Sequence, residues 1–256
     1  MSDDLVVSTA GRVTRVQLAR AAKRNAITAG MLDGIASAVE EAERAGSTVI
    51  VLSGEPGYFS AGADIALYSE SAGDTATLLE FTERANAVCR SLASSPAIVV
   101  AAVDGVAMGG GFELVLSSDI VIASDRSRFA LPEISLGLIP GWGGTQRLTS
   151  IIGAARARHA VLTGAGFDAR RAHELGIVSR LVAADELDDE VESIVADLLA
   201  RAPLALAAGK SAVAASGTES GYGRETELLM SLFASEDGRE GVSAFVEKRA
   251  PRFTGR

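Results

Sequence analysis

Two carboxylates stand in places that look built for burial. GGGFELVLSSDI (109–120) sets Glu113 directly after three glycines, and LPEISLG (131–137) sets Glu133 in a mostly apolar stretch. An isolated Glu on a short apolar helix or strand is costly to bury unless it is paired or used. Each has a bland reading taken alone. Glu113 can serve as a helix-start residue on the dipole, and Glu133 as a solvated strand-end or turn residue after Pro132. Two small-residue turns change the weighing. FSAGAD (59–64) and VAMGGGFEL (106–114) each follow a short apolar run, and such turns can aim free backbone N–H groups into a cleft. Two N–H groups converging on one point form an oxyanion hole. A pair of acids beside such a hole suits addition or removal of water next to a carbonyl.

Other chemistries fit poorly. GKS at 209–211 lacks the leading glycine of a phosphate-binding loop, because Leu204 stands there. GAGFDA (164–169) follows a helical stretch rather than a strand, so it is rejected as a dinucleotide fingerprint. No G-x-S-x-G elbow occurs. His159 and His173 have no Cys partners, so no metal site is expected. Cys89 reads as a core filler, and a single cysteine permits no internal disulfide.

The elements that must position these groups follow from the pattern. LVVS (5–8) and RVTRVQL (12–18) read as strands, and apolar residues at 31, 35, 38 and 42 predict a helix starting at Thr28. TVIVLSG (48–54) and AIVVAAV (97–103) are buried strands. Between them, 55–64 reads as loop, and a long helix capped by Asp74 or Thr75 runs to about Ser94 before Pro96. GVAMGGG reads as loop and FELVLSS as a short helix, followed by strands at 119–124 and 128–131. Alternating short strands and helices predict a layered α/β core. Beyond about residue 150 helical texture takes over, apart from GIVSRLV (176–182), with the clearest helix at 183–202. The expected division is a core over 1–195 and a helical C-terminal subdomain over 196–256.

Composition sets outer bounds. The 256 residues are 48% hydrophobic and 22% charged, enough for a large core. A net charge of −9 argues against general nucleic-acid binding. The longest apolar runs are too short to span a bilayer. The start, MSDDLVV, lacks a charged-then-apolar leader, so a reducing, cytoplasmic location is the expectation.

Over nearly its whole length the chain resembles the enoyl-CoA hydratase/isomerase (crotonase) family. The resemblance rests on KRNAIT (23–28), FSAGADI (59–65), AAVDGVAMGGGFELVLSSDIVIAS (101–124), FALPEISLGLIPGWGGTQRL (129–148) and EGVSAFVEKRAPRF (240–253). It implies a crotonase-like ββα spiral core with a helical C-terminal trimerisation subdomain, assembled as a homotrimer or as a hexamer of two trimers. It also implies that Ala63 and Gly110 supply the two N–H donors to a thioester oxygen. Glu113 and Glu133 then hold and activate a water that adds to a trans-2-enoyl-CoA, giving a 3-hydroxyacyl-CoA in fatty-acid β-oxidation or a related acyl-CoA pathway. CoA is part of the substrate, and no separate cofactor or metal is implied.

By the same resemblance, the chain around Asn25, Ala26, Ala61, Asp64 and Ile65 holds the adenine and pantetheine parts, and Lys23 and Arg24 meet phosphates. Phe245 and Lys248 help close a neighbouring subunit's CoA site. Gly141 lies near the acyl region, followed by Trp142 where relatives often carry a small residue. Two departures stand out: LARAAKRNA lacks the usual proline, and Asp104 replaces a common Asn, with a turn role expected. Two rival readings stay open. One is a Δ3,Δ2-enoyl-CoA isomerase or another enolate-stabilising enzyme on the same scaffold. The other is a non-catalytic acyl-CoA- or RNA-binding member.

Overall fold

The structure is a computed structural model that describes residues 4–55, 57–70 and 73–256. Its core follows a repeated order of long strand, short strand and helix. The long strands build one sheet and the short strands a second.

The first sheet has six strands: β1 (Leu5–Ala10), β2 (Val13–Leu18), β3 (Val49–Gly54), β5 (Ile98–Val103), β7 (Ile120–Ser124) and β10 (Arg180–Val182), adjacent in that order. β1 and β2 form an antiparallel hairpin, and the remaining neighbours are parallel, with Val51 opposite Val100 in the β3–β5 pair. All six residues of β5 are buried, as expected for a central parallel strand covered on both faces.

The second sheet consists of β4 (Tyr58–Ser60), β6 (Val106–Met108), β8 (Arg128–Ala130) and β9 (Phe167–Asp168). β4, β6 and β8 pair in parallel. The sequence reading gave 55–64 and GVAMGGG as loop, and this sheet corrects it. Three-residue strands rich in Ala and Gly are too short to show a period of two.

Helix α1 (Ala29–Arg44) is capped by Thr28, whose side chain accepts from the Met31 N–H at 3.2 Å. Its inner face buries Met31, Leu32 and Ile35 completely. Each such side chain contributes about 1.5–3 kcal/mol relative to exposure. α2 (Ile65–Glu70) precedes α3 (Thr75–Ser94), which Asp74 caps by accepting from the N–H groups of Ala76 and Thr77. α4 (Gly110–Val115) leaves the glycines and is wholly buried. Then come α5 (Gly144–Ile152), α6 (Ala154–Thr163) and α7 (Ala169–Glu174).

Four helices complete the chain: α8 (Leu187–Leu199), α9 (Pro203–Ala214), α10 (Glu219–Ala234) and α11 (Glu236–Glu247). α8 begins later and ends earlier than the 183–202 expected, and only the last three residues of GIVSRLV form a strand. Leu187, Val191 and Val195 of α8 pack beneath the first sheet with Val49, Val100 and Ile122. α9 is tied to the core by Lys210, whose Nζ donates to the carbonyls of Leu92 and Ala97 and pairs with Asp119 at 2.7 Å. Asp104 has the turn role expected of it: its carboxylate accepts from the Gly57 N–H, the Ser124 hydroxyl and the Arg126 guanidinium. Among the described residues no helix is long and apolar enough to cross a membrane.

Candidate active site

The three parallel strands of the small sheet end at one cleft. β4 runs into Ala61–Ala63, β6 into Gly109–Gly110, and β8 into Pro132–Glu133. The carboxyl ends of parallel strands are where an open α/β arrangement leaves room for a ligand. The cleft encloses about 490 Å³, and its lining includes Ala61, Ala63, Ile65, Gly110, Glu113, Glu133, Gly141 and Trp142. Eight of the residues expected from the sequence therefore meet in one cavity.

Glycine is required where the turns touch. A Cβ on Gly62 (φ +103°) would lie 3.0 Å from the Met108 carbonyl oxygen and 3.6 Å from the Gly110 nitrogen. A Cβ on Gly109 (φ +51°) would lie 3.0 Å from Glu133 Oε1. Both turns thus sit against each other and against the second acid. Among the described residues, no backbone hydrogen bond engages the N–H of Ala63 or of Gly110. Gly110 opens α4, whose first N–H groups have no intrahelical acceptor and favour negative charge.

Glu113 is 1% exposed. Its Oε1 accepts from two backbone donors, the N–H groups of Trp142 and Gly144, each at 2.7 Å. Burial pushes its carboxyl up to about 7; those two N–H groups oppose the shift, the Glu133 charge adds to it, and Arg147 opposes it. Glu133 opens a single 3-10 turn (Glu133–Leu136), rather than ending a strand. Its carboxyl is also raised, again by burial first. Its Oε2 is buried with no hydrogen-bond partner among the described residues. A buried polar atom without a partner is costly, and Glu133 is among the residues that line the cleft.

The loop between Glu133 and α5 is pinned from both sides. The Asn86 side chain of α3 donates to the Gly141 carbonyl at 2.5 Å, and Arg147 donates to the Trp142 carbonyl at 2.9 Å. The Trp142 indole is buried over Gly110 and meets Phe81 edge-on, with centroids 5.7 Å apart. Phe81 in turn meets Tyr68 of α2 edge-on at 6.3 Å.

The remaining expected binding residues lie outside the cleft lining. Asn25 is fully buried; its side chain accepts from the Arg20 N–H and donates to the Tyr58 carbonyl, so it ties the turn over 20–25 to the start of β4. Ala26 adjoins it, and the bridge between Ile27 and Ala63 follows. Asp64 pairs with Arg20 at 2.7 Å. Burial pushes its carboxyl up, but Arg20, the Ala66 N–H and Lys23 outweigh it and leave the group below its ordinary value. Lys23 and Arg24 are exposed beside this loop, with the Arg24 guanidinium 5.5 Å from the Tyr58 ring centroid. Phe245 is 85% exposed on α11, and Lys248 caps that helix in the left-handed region (φ 56°). Within one chain neither lines the cleft.

Sequence reasoning missed Tyr68, Leu78, Thr82, Leu136, Leu138 and Ile139, which also line the cleft. It also missed the pinning residues Asn86 and Arg147. Arg147 carried a signal, since it stands one helical turn into α5 after the glycines. Asn86, half-buried on α3, carried none.

A cleft at the ends of parallel strands, lined by apolar groups, two raised carboxyls and free N–H groups of small-residue turns, has the make-up of a small-molecule site. The comparisons narrow this. The family model "Enoyl-CoA hydratase/isomerase" matches residues 8–256, and the chain belongs to that family. It is 38% identical to the 2,3-dehydroadipyl-CoA hydratase of Escherichia coli, over 99% of both chains. It is 38% identical to the probable enoyl-CoA hydratase echA8 of Mycobacterium leprae, again over 99% of both. An enoyl-CoA hydratase structure from Bacillus anthracis superposes with a TM-score of 0.94 at 28% identity, covering 99% of this chain and 100% of the other. The ββα spiral core expected from the sequence is therefore the fold.

Proposed function

We propose that the protein is an enoyl-CoA hydratase, adding water across the double bond of a trans-2-enoyl-CoA to give a 3-hydroxyacyl-CoA. The observation that carries this reading is the meeting of two raised carboxyls, Glu113 and Glu133, with the unengaged N–H groups of Ala63 and Gly110 in one cleft. The N–H pair takes the thioester oxygen and stabilises the enolate charge that develops there. Removing one such donor typically costs about 2.7–4 kcal/mol of barrier. The acids hold one water between them. One, ionised, accepts a proton from it as its oxygen bonds to the β-carbon; the other, protonated, delivers a proton to the α-carbon. The balance needs only water, so CoA enters as part of the substrate and no further cofactor is called for. The relatives' names support this reading.

The CoA moiety runs from the exposed Ala61 and Ile65 past Lys23 and Arg24, which face its phosphates. Assembly as a trimer or a dimer of trimers is part of the proposal. The C-terminal helices expose Val213, Tyr222, Phe233, Val242, Phe245 and Val246, each more than half exposed, a face that association covers. In that assembly the 196–256 segment is the oligomerisation subdomain, and Phe245 and Lys248 approach a neighbour's CoA site. The proposed setting is the cytoplasmic breakdown of acyl-CoA thioesters. Hydration of crotonyl-CoA, followed as loss of the enone-thioester absorbance, tests the activity. An isomerase, which needs one shuttling base, would instead convert a 3-enoyl-CoA and tolerate loss of one acid.

A further inference from the structure

We infer that the Trp142 indole is the end wall of the acyl pocket and limits the substrate to short-chain enoyl thioesters. This rests on the hydratase reading for which end of the cleft receives the acyl group. Trp142 lines the cleft yet is only 3% exposed, so its ring fills space at the inner end rather than at the mouth. A Cβ placed on Gly110 would lie 2.2, 2.4 and 2.6 Å from three atoms of the six-membered ring. The ring is thus packed on the backbone of one proposed oxyanion donor, beside the reacting carbons.

The wall is braced and cannot withdraw easily. The Trp142 backbone N–H donates to Glu113, and the Trp142 backbone carbonyl accepts from Arg147. The preceding carbonyl accepts from Asn86. Phe81 backs the ring edge-on, and Tyr68 backs Phe81. A chain growing past the β-carbon therefore meets aromatic carbon within a few methylenes. A methylene in a hydrophobic pocket is worth roughly 10–200-fold in discrimination, so a fixed wall there gives a steep cutoff. The opposite direction, toward the exposed Leu136, Leu138 and Ile139, is open. A long chain could escape only by that route.

The test compares crotonyl-CoA with trans-decenoyl-CoA as substrates, and butyryl-CoA with decanoyl-CoA as non-reacting ligands by calorimetry. Parent, Trp142→Ala and Trp142→Phe are used. The parent is expected to favour the short chain in both assays, and Trp142→Ala to shift the long-to-short ratio by at least about tenfold. Trp142→Phe keeps an aromatic edge and is expected to shift it less; if Trp142→Ala does not fold by circular dichroism, the Phe variant decides. Equal use of both chains by the parent, or an unchanged ratio in a folded variant, overturns the wall and means the chain leaves past Leu136. If no enoyl-CoA is hydrated but the binding ratios behave as expected, the hydratase reading fails and the wall stands.

Discussion

The backbone N–H of Trp142 donates to Glu113 Oε1 at 2.7 Å. The residue whose ring closes the cleft thus also orients the more buried acid. Backbone donors do not depend on side-chain rotamers, and a second one, from Gly144, meets the same oxygen. One oxygen of Glu113 is therefore committed to holding the group still, and the other is left for chemistry.

Replacing Glu113 by Gln tests this division. The amide oxygen can accept the same two N–H bonds, so the fold should persist while proton transfer is lost. The expected result is a fall of about 10²–10⁴-fold in kcat/KM for enoyl-CoA hydration with an unchanged far-ultraviolet spectrum. A variant with near-parental turnover would show that Glu113 is only a scaffold.

The pH dependence of stability gives a second test. Burial raises the Glu113 carboxyl from its ordinary 4.5 to about 7. Across that interval the native state keeps a proton that the unfolded chain has released. The contribution of this group is then fully present below the lower value and is lost as pH rises through the upper one. Glu113→Gln should therefore gain in Tm relative to the parent between about pH 5 and about pH 8. A difference that does not grow with pH would refute the raised value.

Much of this site was legible before the structure. Glu113, Glu133 and the two glycine turns stood out because charge among apolar and small residues is conspicuous. β3 and β5 were readable as short continuous apolar runs and α1 by its helical period. β8 of the small sheet was readable, but β4 and β6 were not, because they have three residues each and run directly into the small-residue turns that serve the site. The acyl wall was hidden for another reason. Trp142 is a lone aromatic in a glycine-rich turn, and only the close approach of its ring to Gly110 shows that it closes the cleft. Asn25 was expected to bind ligand, and its burial between the Arg20 N–H and the Tyr58 carbonyl, which makes it an internal brace, was not readable from its neighbours in the chain.

Gly110 and Trp142 should be coupled. Alanine at 110 forces its Cβ into the indole, so Gly110→Ala is expected to destabilise by about 1–3 kcal/mol. Adding Trp142→Ala should recover part of that loss, with a coupling energy of about 0.5–3 kcal/mol in denaturant unfolding. Strict additivity would mean that the two residues do not touch.

Lys210 should anchor α9. Its side chain is 8% exposed and faces Asp119, whose carboxyl burial pushes upward while Lys210 and the Val99 N–H hold it down. Lys210→Met leaves that carboxylate buried without its cation, at about 3–5 kcal/mol. With its main depressing partner gone, the Asp119 value rises further, so the loss should be smaller at acid pH, where the group is protonated. Equal loss at all pH values would argue that the lysine acts through its two carbonyl bonds alone.

The most direct measurement is the absorbance of crotonyl-CoA with the parent, Glu113→Gln and Glu133→Gln. Paired acids handling one water predict loss of the enone-thioester band with the parent and its near-abolition in both variants. Persistence of the band with the parent, or full activity after either substitution, would contradict the account.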